Sequence, residues 1–301
     1  WPAYDAPFVR TSWASARYGW TDPRSLALLG GGIVLAGLFV AVEFRAAEPI
    51  IPMRLFRNRV YTPTIVFTAI MGLAMFGGII FLPVYLQVVQ GLSPTESGLA
   101  LLPMVAGIFT TSISSGRRVS RTGRYRIYPI LGAAVTAIAL ILMSTLDADT
   151  PYWQIATYFF VFGAGLGFTM QIVVTAVQNS VERRDMGAAT SSVTFFRSMG
   201  AAFGTALFGA VLASQLGHYL AAAGGVLPAG SDEAEIANNV KAIQALPAEI
   251  KAVVIDAWVH ALHDVFVTAV PIVVVGLVAA FFIPEMPLRG ASDVEPILAT
   301  E

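Results

Sequence analysis

The sequence predicts an all-α protein, a polytopic bundle of membrane helices. Three observations lead there. Hydrophobic residues make up 56% of the 301 and charged residues only 12%, with a mean hydropathy of +0.71. A soluble domain of this length needs far more charge to cover its core. Uncharged apolar runs of about twenty residues recur along the chain, the length that crosses about 30 Å of hydrocarbon. Between those runs the arginines collect in alternate connections, as they do when a chain passes back and forth across a bilayer.

Seven segments qualify as spans, at 25–43, 62–87, 95–115, 127–146, 152–178, 187–214 and 259–283. Asp22-Pro23 precedes the first and Thr150-Pro151 the fifth, each a polar cap ahead of a proline in the first turn. The third opens on Ser93-Pro94-Thr95-Glu96, a capping box in which Ser93 and Glu96 cover orphan amides. Ile250, Val253, Val254, Ala257, Trp258, Ala261 and Leu262 repeat at helical spacing, so an amphipathic stretch runs into the seventh. Pro83, Pro103 and Pro271 lie within or at the ends of spans and are expected to mark kinks.

The cations set the orientation. Arg45, Arg54, Arg57 and Arg59 lie between the first and second spans, and Arg117, Arg118, Arg121, Arg124 and Arg126 between the third and fourth. Arg183 and Arg184 lie between the fifth and sixth, and Arg289 follows the seventh. Connections 88–94 and 147–151 carry no lysine or arginine, and 215–258 holds only Lys241 and Lys251. Cytoplasmic loops retain such residues, which puts the arginine-rich side inside the cell, the N-terminus outside and the C-terminus inside the plasma membrane. The cluster Ser115–Arg126 then reads as a short cytoplasmic loop. Nucleic acid is not its partner, because its neighbours sit in lipid and the net charge is −1.

The expected division follows. Residues 1–24 form an outside N-terminal remnant, 25–43 a separate span and 44–61 an interfacial cytoplasmic linker. Residues 62–283 form a six-helix unit with an outside loop at 215–258, and 284–301 a cytoplasmic tail. The chain starts at Trp1 with no initiator methionine, which suggests a fragment. With no cysteine it has neither disulfides nor thiolate metal sites.

Inside the spans, Gly200 and Gly204 make a GxxxG with Gly209 beyond, and Gly163, Gly165 and Gly167 cluster in the fifth span. Small residues let helix backbones approach closely where lipid supplies no hydrophobic drive. Arg197 lies eleven residues past Met186, roughly 16 Å into the membrane at about 1.5 Å per residue. An arginine there costs about 2.5–3.5 kcal/mol on insertion scales. No acidic residue lies deep in any span. Its partner is therefore a backbone carbonyl, Gln171, an anionic substrate or a carboxylate on another segment. With Gln171, Phe67, Met71, Met75, Phe195 and Phe196, Arg197 is read as lining an adaptable apolar substrate cavity, with Gln87 and Gln90 nearer its outer end.

Other chemistries fare less well. His260, His263 and Asp264 begin the seventh span, and they are too few for a metal site, so they read as a solvated helix end. A seven-span retinal receptor is the main rival, but it needs a lysine inside a span, and Lys241 and Lys251 lie outside. No span holds a clustered nucleophile, acid pair or metal set, so no enzyme is predicted.

Gly116-Arg-Arg-Val-Ser-Arg121-Thr-Gly123-Arg124-Tyr-Arg126 resembles the cytoplasmic loop signature of the major facilitator superfamily. EPIIPMRLFRNR, FLPVYLQVVQG, MGAATSSVTFFRSMG and PEMPLR are similar to its fourteen-span drug:proton antiporter branch, which carries multidrug efflux. The resemblance implies one extra central span plus the six-helix C-terminal half, built from two inverted three-helix repeats. It implies export of small amphipathic substrates by alternating access, with a proton gradient as energy source and no cofactor. Gly116, Arg121, Gly123, Arg124 and Arg126 would form the gating loop, and the missing N-terminal half would be the protein partner alongside lipid. Ser120 stands where the signature has an acid, which puts the charge relay of that loop in doubt.

Overall fold

The computed structural model describes residues 52–222, 240–244 and 246–286, with helical positions 30–32, 34, 37–38 and 41–42. The expected remnant 1–24, the rest of the first span and linker up to residue 51, residues 223–239 and the tail from 287 lie outside the described residues. Asp22-Pro23, Arg45 and Arg289 fall there too.

The helices are α1 (Tyr61–Val88), α2 (Pro94–Ala100), α3 (Leu102–Thr122), α4 (Ile127–Met143), α5 (Tyr152–Ser180), α6 (Met186–Ala222), α7 (Val240–Gln244) and α8 (Ala248–Phe281). Short 3-10 turns at Met53–Arg57 and Arg183–Asp185 precede α1 and α6. Among the described residues there is no β-strand. Five helical stretches are long and apolar enough to cross a membrane: α1, α2 with α3, α5, α6 and α8. α4 is apolar but shorter, with 17 residues, the lower limit for a span.

Local sequence explains several of the ends. Ser93 accepts a bond from the Glu96 amide at 3.3 Å and its own amide donates to the Glu96 carboxylate at 2.9 Å, completing the capping box of α2. A break at Leu101, just before Pro103, separates α2 from α3. Pro83 and Pro271 lie inside α1 and α8. Thr150 departs from its expected role. Its hydroxyl accepts from the Asp147 amide at 2.8 Å rather than capping α5, so it closes the α4–α5 connection.

The arginine cluster also departs from expectation. Ser115 to Thr122 is helical, so α3 runs two turns further than the apolar run and only Gly123–Arg126 connects to α4. The reason is local. No proline or cap interrupts the stretch, and serine and arginine are tolerated in a helix whose Arg117, Arg118 and Arg121 point outward. Gly123 ends it with φ at +69°, a left-handed C-cap that a side chain would strain.

Two triplets, α1–α2–α3–α4 and α5–α6–α8, pack in a reciprocal way. The first helix of each lies against the second long helix of the other: α1 against α6, and α5 against α3. α4 packs on α5, and α8 packs on α1 and on α4. Glycines make the two central crossings possible. A Cβ on Gly200 would strike the Ala69 carbonyl and one on Gly204 the Leu73 carbonyl. Gly163 meets Met104 and Gly167 meets Ile108 in the same manner. In both crossings contacts advance one turn along both helices together, so the paired helices run parallel. Backbone-to-backbone approach of this kind supplies dispersion contact without interlocking side chains.

The surface has the opposite character to that of a soluble protein. Phe109, Trp153, Phe203 and Phe282 are all at least 61% exposed. Patches of that size are unstable in water and natural in lipid.

Candidate substrate cavity

The described residues line a small, half-open cavity where α1, α5 and α6 meet. α1 contributes Phe67, Thr68, Met71, Gly72 and Met75. α5 contributes Leu166, Thr169, Met170 and Val173, and α6 contributes Arg197. The free space is about 20 Å³, enough for one water molecule. Spacing explains the lining. Phe67, Met71 and Met75 fall one turn apart on α1, and Leu166, Thr169, Met170 and Val173 share a face of α5 at i, i+3, i+4 and i+7.

Polar groups in the lining are few. Thr68 donates its hydroxyl proton to the Thr64 carbonyl at 2.7 Å, and Thr169 donates to the Leu166 carbonyl at 2.8 Å. Each hydroxyl proton is thus spent within its own helix. Arg197 is half-buried, and among the described residues it has no hydrogen-bond or ion-pair partner. Its backbone carbonyl lies against Gly72, whose missing Cβ lets the chain carrying the guanidinium lie directly on α1.

Four residues nominated from the sequence, Phe67, Met71, Met75 and Arg197, line this cavity. Three do not. Gln171 is exposed, because it sits about 100° round the helix from Met170. Phe195 is 45% exposed, with its ring 5.3 Å from that of Phe196. Phe196 turns toward the arginine-rich end, its ring 6.1 Å from Phe56. Thr68, Gly72, Leu166, Thr169, Met170 and Val173 went unnominated. Thr68 and Gly72 neighbour the nominated residues of α1, whereas on α5 the nominated Gln171 lies off the face that meets the cavity, so no signal pointed to Leu166, Thr169, Met170 and Val173.

The arginine-rich end is tied together by polar bonds. Asn58 accepts from the amides of Val60 and Tyr61 at 2.8 and 3.1 Å and donates to the Ser180 carbonyl at 2.7 Å. Arg54 pairs with the buried Asp185. In the loop signature, Arg126 donates to the Phe281 carbonyl at 2.9 Å, near the C-terminus of α8, where a cation suits the helix dipole. Tyr125 donates to the Pro284 carbonyl and accepts from the Met286 amide. Arg121 and Arg124 are exposed, and Ser120 donates to the Gly116 carbonyl of its own helix.

At the opposite end Tyr85 donates to the Asp147 carbonyl, and Gln90 bonds the Tyr85 hydroxyl and the carbonyls of Asp147 and Ala148. Gln90 thus fastens a connection and does not line the cavity. Gln244 of α7 reaches the carbonyls of Gln87 and Val88. Tyr219 donates to Asp264 at 2.9 Å, and His263 contacts the Ser144 carbonyl at 2.7 Å. Among the described residues no three such side chains gather as a metal site.

With this geometry in place, comparison with known proteins is decisive. Residues 14–205 match the Major Facilitator Superfamily. The chain belongs to the major facilitator superfamily. Members are transporters rather than enzymes. A Mycobacterium tuberculosis protein described as an uncharacterized MFS-type transporter is 40% identical over 97% of this chain and 42% of its own length. The multidrug transporter protein MdtP of Bacillus subtilis is 36% identical over 69% of this chain and 38% of its own. A tetracycline resistance determinant of Streptomyces rimosus is 26% identical over 92% of this chain and 87% of its own. The chain therefore spans about two fifths of the first two relatives. Among solved structures, a bacterial homolog of the human lysosomal transporter Spinster, inward-facing and occupied, superposes with a TM-score of 0.62 at 16% identity. It covers 92% of this chain and 62% of that one, a likeness of fold.

Proposed function

We propose that this chain is the C-terminal half of a proton-coupled exporter of amphipathic, drug-like compounds, of the fourteen-span branch, working by alternating access. The observation that carries the reading is the cavity between α1, α5 and α6, lined by three methionines, a phenylalanine and one arginine. Methionine suits ligands of varied shape, and the cavity sits where the two triplets meet. Relatives described as a multidrug transporter and a tetracycline resistance determinant support the substrate class. The chain's two-fifths share of its longer relatives supports the reading as a half. The arginine-rich end faces the cytoplasm, and the protein sits in the plasma membrane. The proton is the coupling ion, no cofactor takes part, and a preceding half completes the pathway. Gly116, Arg121, Gly123, Arg124 and Arg126 gate the cytoplasmic side, a role supported by the Arg126 bond to the Phe281 carbonyl and the packing of α4 on α8.

The test is transport in proteoliposomes holding the protein with whatever sequence its gene encodes ahead of Trp1. Under an imposed proton gradient, amphipathic dyes should move against their own gradient, and a protonophore should stop them. The 301-residue chain alone should move none. Dye movement indifferent to the proton gradient, or no movement of any dye by the longer protein, would overturn the reading.

A further inference from the structure

Resting on the exporter reading of this same cavity, we infer that Arg197 makes the site selective for amphiphiles bearing an anionic head, a carboxylate or its equivalent. The Arg197 side chain has no hydrogen-bond or ion-pair partner among the described residues. Arg197 carries a permanent positive charge and five donors, yet the groups around it are apolar, sulfur-bearing or already bonded. An uncompensated charge in such surroundings is held at a penalty, and an opposite charge is what relieves it.

Among the described residues no acid offers relief at that depth. Asp185, just before α6, is taken by Arg54, and Asp264, within α8, is bonded to Tyr219 near the far end of α6. The sequence between Ser97 and Leu146, and between Tyr152 and Val181, holds no aspartate or glutamate at all. Neither α1 nor the stretch of α6 from Met186 to Ala222 contributes one. A carboxylate fits the planar fork of arginine in bidentate fashion, and Phe67, Met71, Met75 and Met170 provide the dry wall for an apolar body. In this structure the half-open space holds about one water, so a bound amphiphile must widen it. On one side α1 and α6 meet through glycines, Gly72 on the backbone of Arg197 and Gly200 on that of Ala69.

A matched pair of probes isolates the charge. 11-(Dansylamino)undecanoic acid and its methyl ester share tail and fluorophore and differ in one negative charge. Binding of both is measured by fluorescence on the full-length protein in nanodiscs, with empty nanodiscs correcting for lipid uptake. The wild-type protein should bind the acid at least about tenfold tighter than the ester, about 1.4 kcal/mol. Arg197→Gln should erase that preference, and a single monodisperse peak on a sizing column shows the variant still folded. Arg197→Lys should keep part of it, since the charge remains and the fork is lost. Equal binding of acid and ester by the wild-type protein would overturn the inference, and so would a preference that survives Arg197→Gln. The first result would mean that a carboxylate elsewhere in the protein already neutralises Arg197. Neither result touches the exporter reading, which stands or falls on proton-driven movement of dyes of any charge.

Discussion

An alanine at Gly204 drives its Cβ into the Leu73 carbonyl, whereas one at Gly209 meets open space. Backbone cannot yield as a flexible side chain can, so the first substitution parts α1 from α6 and the second touches nothing. We expect Gly204→Ala to lower stability by about 1–3 kcal/mol, and Gly209→Ala to leave it unchanged. Thermal unfolding in detergent, followed by monodispersity on a sizing column, reads both. Equal melting temperatures for the two variants would contradict the crossing described here. The sequence displays both glycines with equal prominence, and only the partner helix tells them apart. The same holds along α5, where Gln171 stands out as a polar residue at mid-depth, yet Met170 is the one that meets the cavity. Arg197 was legible for the reverse reason: a lone charge in a long apolar run is conspicuous whatever packs beside it.

At the level of elements, the ends of helices carry the specific chemistry. Asn58 caps the start of α1 with one atom and holds the α5–α6 connection with another. Asn58→Ala should cost about 1–2 kcal/mol. Asn58→Asp keeps the acceptor of the cap but sets a carboxylate oxygen against the Ser180 carbonyl, and so should not restore wild-type stability. An alanine variant as stable as the wild type would show that neither bond contributes. Gly123 makes a second case. Its φ of +69° is strained for any side chain, so Gly123→Ala should lower stability by about 1 kcal/mol. Unchanged melting of that variant would mean the C-cap of α3 relaxes freely. Spans were readable as elements because an apolar run of twenty residues has few other fates. Their ends were less so, since hydropathy marks the edge of the lipid and not the end of the helix. α3 shows the difference, continuing for two turns of arginine and serine until a glycine stops it.

For the whole molecule, the reciprocal pairing of α1 with α6 and α3 with α5 is the main organising fact. The family resemblance implied two inverted triplets, but not which helix would touch which. Pairing depends on small residues arriving at matching depths, and depth is set jointly by two helices. The tight crossings at Gly163, Gly167, Gly200 and Gly204 lie between triplets. All of this supposes a bilayer around the bundle with the arginines on its cytoplasmic face. Because the 301 residues contain no cysteine, single thiols can report that directly, at Arg121→Cys on the arginine-rich end and Asp149→Cys on the opposite one. In intact cells a membrane-impermeant maleimide should label the thiol at position 149 and reach position 121 only after the membrane is opened. Labelling of position 121 from outside, with position 149 protected, would contradict the orientation and the direction of export built upon it.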